Sequence, residues 1–135
     1  MIAVVFDCNV ILGAIGWRGT ARLCLKLAAK RRVSMCVTEA ILAEYETVIP
    51  ERLKEEVPDL DPKPKLAWIR ARSQLFEPAR LGKQRSRDAK DDPYLACALA
   101  ARARYIITYD RDLLALEKPF GVEIMRPAEL LRRTG

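Results

Sequence analysis

The sequence predicts an α/β sandwich with a mostly parallel central sheet. Two observations lead to this prediction. Short runs of apolar and β-branched residues alternate with longer segments whose apolar residues recur at helical spacing. The first short run, Ile2 to Phe6, is apolar at every position, which is typical of a parallel strand covered on both faces. The length of 135 residues suits a single domain spanning residues 1–135.

The segment after this strand is predicted to form a loop and then a helix. Three glycines indicate the loop, at Gly13, Gly16 and Gly19, and their spacing is not that of a nucleotide-binding loop. Thr20 is a suitable cap for a helix that runs to about Arg31. The helical pattern turns a set of small and apolar residues inward, namely Leu23, Cys24, Leu27 and Ala28.

A second strand and helix follow in the same order. Val33 to Val37 predicts the strand, and Thr38 is placed to cap a helix with an inward stripe. The stripe comprises Ile41, Leu42, Tyr45, Val48 and Ile49. Four prolines between residues 50 and 64 indicate that this helix stops and that a short helix between exposed connections follows.

The second half of the chain continues the alternation. A helix from about Pro64 to Gln74 leads into a short strand at residues 75–76, and a charged loop spans residues 79–91. Asp92 and Pro93 have the form of a helix cap followed by proline at the first helical position. The remaining predicted elements are a strand at Tyr105–Thr108, a short helix after Asp110 and Asp112, a strand at Val122–Met125 and a helix at Pro127–Arg133.

Charge and composition narrow the classes of function. Lys and Arg outnumber Asp and Glu by 24 to 18, and the net charge of +6 suits either a polyanionic partner such as nucleic acid or a well-solvated basic surface. Histidine is absent. This excludes histidine-pair ribonuclease chemistry, Ser-His and Cys-His nucleophiles and histidine zinc sites. A hydrolase with this sequence must use carboxylates with a metal, or Lys, Tyr or Cys.

The cysteines and the N-terminal segment indicate a cytoplasmic protein. The four cysteines, Cys8, Cys24, Cys36 and Cys97, lie in apolar stretches without a Cys-x-x-Cys pair, as buried and reduced cysteines do in the cytosol. We expect no signal peptide, because no basic leader precedes the first apolar run. We also expect no membrane span, because no apolar run is long enough.

Acidic residues follow the predicted strands at the edge where parallel sheets bind ligands. Asp7 directly follows the first strand, and Asp110 and Asp112 follow the strand at residues 105–108. Asp92 begins a helix whose start is expected at the same edge, because crossover helices run antiparallel to the strands that they join. Taken singly, Asp92 also fits a plain helix cap, and Asp110 and Asp112 fit turn residues.

Glu44 joins this group from the second helix. It flanks the inward stripe, three residues after Ile41, where a carboxylate is costly to desolvate without a cation. A side chain that reaches solvent is the alternative. Acids without histidine suit magnesium or manganese, which prefer oxygen ligands and retain water. We therefore expect a site for such an ion, formed by Asp7, Glu44, Asp92, Asp110 and Asp112.

Basic residues lie in the loop that leads into Asp92. They are candidates to hold nucleic-acid phosphates beside the metal, with a solvated loop as the alternative: Arg80, Lys83, Arg85, Arg87 and Lys90. In the glycine-bearing segment, Arg18 is a further candidate for nucleic-acid binding, and Trp17 fits a packing role better than stacking on a base.

Four segments of the sequence resemble, in order and spacing, proteins of the PIN-domain family. They are VVFDCNV, TEAILAEYETVI, DAKDDPYLACALAARA and YIITYDRDLL, and the resemblance extends over nearly the whole chain. It is greatest to the branch of toxin components of toxin–antitoxin pairs. The resemblance implies a three-layer α/β/α fold and a metal-dependent endoribonuclease that leaves a 5′-phosphate and a 3′-hydroxyl.

The resemblance also implies roles for individual residues and for partners. The family's four catalytic, metal-binding acids correspond to Asp7, Glu44, Asp92 and Asp110. Asp112 matches an accessory acid, and Asn9 matches the polar residue that steadies the first acid and its metal waters. The substrate is then RNA, with Arg18, Arg85, Arg87 and Lys90 as candidate contacts. The family further implies an antitoxin partner and a homodimer or higher homo-oligomer.

Two positions depart from the family pattern. Cys8 stands where many relatives carry threonine or serine, so a hydroxyl near the metal is missing. Asp88, Asp91 and Asp92 crowd together, so Asp91 is an alternative third acid, although the step to Leu95 favours Asp92.

Two other functions remain as alternatives. A haloacid-dehalogenase-like phosphatase also places an aspartate after the first strand, but its chemistry wants a second aspartate at position 9, where this chain has Asn9. A non-catalytic RNA- or partner-binding module is the other alternative.

Overall fold

The computed structural model describes residues 1–83, 92–116 and 118–134, and it confirms the α/β class. The strands in these residues are β1 (Ile2–Phe6), β2 (Val33–Val37), β3 (Gln74–Leu75), β4 (Tyr105–Ile107) and β5 (Glu123–Met125). They form one sheet in the order β3-β2-β1-β4-β5, and every neighbouring pair is parallel. The predicted central sheet is therefore confirmed.

Strand β1 lies at the centre of the sheet. Val4 pairs with Met35 on β2 and with Tyr105 on β4, and all three are buried. Because the strands all run in the same direction, their carboxyl ends share one edge, and the residues that follow β1 and β4 are neighbours. The Asp7 N–H extends the pairing by donating to the Ile107 carbonyl at 2.9 Å.

Helices flank this sheet in the three-layer arrangement. Those in the described residues are α1 (Cys8–Gly16), α2 (Thr20–Ala29), α3 (Glu39–Glu56), α4 (Lys63–Arg72), α5 (Asp92–Ala101), α6 (Arg111–Leu114) and α7 (Pro127–Thr134), with a 3-10 turn at Pro119–Gly121. None of these helices is both long and apolar enough to cross a membrane.

The prediction of a glycine loop after β1 was wrong. The segment forms α1, and six of its nine residues are buried. Its glycines allow neighbouring helices to approach closely: a Cβ on Gly16 would lie 2.7 Å from Leu53 Cδ2 on α3, and a Cβ on Gly13 would lie 3.4 Å from Ala21 Cβ on α2. Of the three glycines, Gly19 lies in the connection to α2, with φ at 153°.

Helix α2 also departs from the prediction at one position of its inward face. Cys24, Leu27 and Ala28 are buried as expected, but Leu23 is 47% exposed. Leu23 is exposed because it lines an open groove between α2 and the first turns of α4. The helix starts at Thr20 itself, so the predicted cap is displaced by one residue to Gly19.

Helix α3 begins as predicted and ends later. The Thr38 hydroxyl accepts a hydrogen bond from the Ile41 N–H at 3.2 Å, which confirms the cap. The helix then continues through Pro50 to Glu56, although the prolines predicted an earlier end. Proline in a helix removes one backbone hydrogen bond, but Ile49 and Leu53 on either side are fully buried. Their burial holds the segment against the core in helical form.

Candidate active site

Two acidic residues leave adjacent strands at the carboxyl edge of the sheet. Asp7 follows β1, and Asp110 lies three residues beyond β4. The Thr108 hydroxyl donates to Asp7 Oδ2 at 2.6 Å and accepts from the Asp110 N–H at 2.9 Å. Thr108 is fully buried, and Asp7 is only 5% exposed. The structure therefore brings these two predicted acids together through a single buried hydroxyl.

Glu44 reaches the same edge from α3, where it is half-buried beside the apolar stripe. Its Oε1 accepts a hydrogen bond from the hydroxyl of Tyr94, a buried residue in the first turn of α5. The same hydroxyl accepts a hydrogen bond from the Cys8 N–H at 3.2 Å. Because Cys8 directly follows Asp7, this phenol connects the backbone of one predicted acid to the side chain of another.

Burial has the largest influence on Asp7 and raises the pKa of its carboxyl above the ordinary value. Hydrogen bonding by Thr108 and by the backbone of Cys8 lowers this pKa, and the negative charges of Asp110 and Glu44 raise it. Among the described residues, the charged groups that act on Asp7 are thus both carboxylates. A bound cation would offset the burial of Asp7 and the repulsion from its neighbours.

The other predicted acids lie in the first turns of two helices. Asp92 is the first residue of α5, half-buried and two residues before Tyr94. Asp110 caps α6, because its Oδ1 accepts a hydrogen bond from the Asp112 N–H at 2.8 Å. The turn role predicted as the alternative for Asp110 is therefore present alongside its proximity to Asp7. Asn9 is exposed in the first turn of α1.

The comparisons with known proteins agree with this architecture. Residues 3–112 match the PIN domain family. The chain belongs to the PIN-domain family. Its fold is similar to the crystal structure of PAE2754 from Pyrobaculum aerophilum, with a TM-score of 0.63 and 17% identity, covering 98% of this chain and 88% of that chain. At that identity the likeness shows the fold alone. Among the curated proteins, none matches the sequence.

PIN domains are generally nucleases and typically use divalent metal ions, so membership indicates a nuclease-type function for this chain. Across residues 1–83, 92–116 and 118–134, no three acidic, cysteine or histidine side chains lie close enough to form a finished metal site. The donor chemistry does fit a hard cation, because Asp7 and the two carboxylates that act on it, Glu44 and Asp110, offer oxygen only.

Three of the basic residues considered as candidate RNA contacts, Arg18, Arg80 and Lys83, lie in the described part of this PIN domain. Arg18 lines the groove between α2 and α4, which has a volume of about 930 Å³. It lies two residues beyond the end of α1, a helix that starts directly after Asp7 and is roughly 14 Å long at about 1.5 Å per residue. Arg80 and Lys83 are exposed. The positions outside the described residues are Arg85, Arg87, Lys90 and the alternative acid Asp91.

Two hydroxyl-bearing residues of the site, Thr108 and Tyr94, were missed by sequence reasoning. A third buried hydroxyl, on Tyr45, donates to the Phe6 backbone carbonyl and is not part of the acid site. The role of Thr108 could have been predicted from the sequence, because a polar side chain at the end of an apolar strand needs a hydrogen-bond partner. The hydrogen bonds of the tyrosines could not, because their rings fill the core as apolar residues do.

Cys8, the first of the two predicted departures from the family pattern, is a buried and uncharged thiol. Burial first, and then the charges of Glu44 and Asp7, raise its pKa to about 12. A helix N-terminus ordinarily lowers the pKa of a thiol, but here burial and the two carboxylates outweigh that effect. All four cysteines are buried and free, as predicted.

Proposed function

We propose that this PIN-domain protein is an endoribonuclease that depends on Mg²⁺ or Mn²⁺ and hydrolyses phosphodiester bonds in RNA. We propose further that it is one domain over residues 1–135, that it acts in the cytoplasm, and that it is the toxin of a type II toxin–antitoxin pair. Its partners would be a cognate antitoxin and further copies of itself. The toxin role is supported by the sequence resemblance alone.

One observation carries the nuclease proposal. Three acidic residues from distant parts of the chain, Asp7, Glu44 and Asp110, meet at the carboxyl edge of the sheet. The Thr108 hydroxyl joins the Asp7 carboxylate to the Asp110 N–H, and the Tyr94 hydroxyl joins the Glu44 carboxylate to the Cys8 N–H. Parallel α/β sheets bind their ligands at this edge. A buried carboxylate that two half-buried carboxylates repel is unfavourable in a purely structural role. Their grouping therefore supports a role in binding a cation.

In this proposal the acids divide the work of the site. Asp7, Glu44, Asp92 and Asp110 hold the ion, with Asp112 as an accessory acid. Asn9 supports Asp7 from the first turn of α1. When bound, the divalent ion neutralises charge on the scissile phosphate and lowers the pKa of an attacking water. The chain's own contribution is to keep Asp7 buried and oriented, which the Thr108 hydroxyl does.

The nuclease proposal is tested by removing single carboxylate charges. We expect wild type to cleave single-stranded or structured RNA with Mg²⁺ or Mn²⁺, and Asp7→Asn and Asp92→Asn each to lose about 100-fold or more of that activity. Calorimetric titration with Mn²⁺ should show the same two variants losing metal uptake. Asp59→Asn is the matched control, because Asp59 is exposed in the connection before α4.

Equal cleavage by all four proteins, or cleavage that survives a chelator, would mean that these acids are not the site. RNA binding without metal uptake would favour the non-catalytic module. Phosphorylation of Asp7 would favour the phosphatase, which gains no support from the family match. For the toxin role, induced wild type should arrest growth and Asp7→Asn should not.

A further inference from the structure

We propose that Tyr94 is a positioning residue for the acid site: its hydroxyl fixes the Glu44 carboxylate relative to Asp7, and the affinity for a divalent ion depends on that bond. The proposal rests on the nuclease function proposed above and adds a residue that none of the acidic positions predicts. Tyr94 is not proposed to touch the substrate.

The position of Tyr94 joins three parts of the fold. Its ring is 2% exposed, and its hydroxyl accepts from the Cys8 N–H at 3.2 Å while donating to Glu44 Oε1. Cys8 begins α1, Glu44 lies on α3, and Tyr94 itself lies in the first turn of α5, two residues after Asp92. One oxygen atom therefore ties together the elements that carry three of the proposed metal-binding acids.

The Glu44 side chain needs a hydrogen-bond partner to hold it in one conformation. Glu44 is half-buried on a helix, and its side chain has several rotatable bonds whose ordering costs entropy. A hydrogen bond from a rigid phenol meets that cost before a ligand arrives, as supporting partners do in metal sites. The phenol donates its proton to Glu44 Oε1, and its ring is held in place by burial, so the bond has a fixed direction.

Tyr45 offers a matched comparison on the other side of Asp7. It is 1% exposed, and its hydroxyl donates to the Phe6 carbonyl. The two tyrosines thus hold the peptide groups on either side of Asp7, one at the Phe6 carbonyl and the other at the Cys8 N–H. They differ in that Tyr94 also bonds to the Glu44 carboxylate, whereas the bond of Tyr45 ends at the backbone.

The experiment compares Tyr94→Phe with Tyr45→Phe in the full chain, with wild type and Asp7→Asn beside them. Each phenylalanine variant keeps the ring and loses one buried hydroxyl, so both should lower the melting temperature in chelator by similar amounts. Manganese chloride titrations should separate them. We expect Tyr94→Phe to bind Mn²⁺ about 10- to 100-fold more weakly than wild type, and Tyr45→Phe to stay near wild type.

The dependence of RNA cleavage on manganese concentration is a second measurement. Tyr94→Phe should need more manganese for half-maximal cleavage and should approach the wild-type rate at saturation, because a high manganese concentration fills even a weakened site. A rate that stays low at every manganese concentration would indicate general damage and overturn the proposal. The proposal would also be overturned if Tyr94→Phe and Tyr45→Phe bound Mn²⁺ with equal affinity while Asp7→Asn did not bind the ion. No uptake by wild type would overturn the nuclease proposal and this one together.

Discussion

The two ends of α1 differ in almost every physical respect. At its start, Asp7 and Cys8 are enclosed by the hydroxyls of Thr108 and Tyr94, and polar groups are buried with specific partners. At its end, Gly16 packs against Leu53 with no room for a side-chain carbon. One helix of nine residues therefore connects a polar, charged site to a close-packed, apolar contact.

The start of α1 meets a requirement of the proposed site, whereas its end meets a requirement of folding. The start of α1 places Asp7 beside two other carboxylates, an arrangement that costs stability and that a bound cation would offset. The end of α1 gains stability through tight packing of small residues. Substitutions at the start should therefore change metal binding and activity, whereas substitutions at the end should change stability and leave the metal untouched.

Among substitutions that keep every acid in place, a large effect is expected at the start of α1, from Thr108→Val. Valine has nearly the same shape as threonine but leaves Asp7 Oδ2 and the Asp110 N–H without their shared partner. We expect manganese affinity and RNA cleavage to fall about 10- to 100-fold, as for partners that orient metal ligands. Calorimetry and a cleavage assay measure the loss. Thr108→Ser keeps the hydroxyl and should stay close to wild type, and a serine variant as weak as valine would point to packing instead.

The sequence was informative about the start of α1 because charge is conspicuous in an apolar setting. Asp7 stands directly after five apolar residues, and Glu44 flanks an apolar stripe. Both positions could be predicted from residue type and periodicity. Their hydrogen-bond partners could not, because Tyr94 meets Glu44 only after α3 and α5 pack together. The sheet could also be predicted from the sequence. Short runs of β-branched residues between helical segments form strands more readily than any other structure.

The end of α1 was mispredicted because glycine has two uses that look identical in sequence. Gly13 and Gly16 could permit a turn or a close helix contact, and only the positions of Ala21 and Leu53 decide between them. Pro50 raised the same difficulty in α3, where burial of its neighbours outweighed its local preference. These errors arose where tertiary packing overrode local preference.

The second prediction tests that packing with Gly16→Ala and Gly13→Ala. Alanine favours a helix over glycine by roughly 0.5–1 kcal/mol at both positions. At Gly16, however, the new carbon would lie 2.7 Å from a fully buried leucine, and overpacking of this kind costs about 1–3 kcal/mol. Gly16→Ala should therefore lower the free energy of unfolding, while Gly13→Ala, at 3.4 Å from Ala21, should leave it unchanged or raise it slightly.

Denaturant titration measures both glycine variants, and manganese titration supplies the contrast with the start of the helix. Gly16→Ala should bind manganese as wild type does, because its contact lies near the end of α1 that is remote from Asp7. A loss of manganese affinity comparable to that of Thr108→Val would contradict this. It would show that packing at the end of α1 also controls metal binding at its start.

The smallest expected effect is a gain in stability from Asp7→Asn in the metal-free protein. Negative charge at a helix N-terminus stabilises the folded protein by about 0.3–1 kcal/mol, so this effect alone would make Asp7→Asn less stable. Burial and the charges of Asp110 and Glu44 act in the opposite direction, and the raised pKa of Asp7 shows that they prevail. Asparagine still offers an oxygen to the Thr108 hydroxyl. We therefore expect the melting temperature in chelator to rise by about 3–5 °C, equivalent to about 1 kcal/mol.

Asp59→Asn, at an exposed position, should leave the melting temperature where it is. A decrease for Asp7→Asn as large as that for Gly16→Ala would mean that the buried carboxylate stabilises the fold. In that case Asp7 would be a structural residue, and the start of α1 would no longer differ from its end. A gain in stability combined with a loss of manganese binding is the result that a site built for a cation should give, because the charge that costs stability without the metal is the charge that binds it.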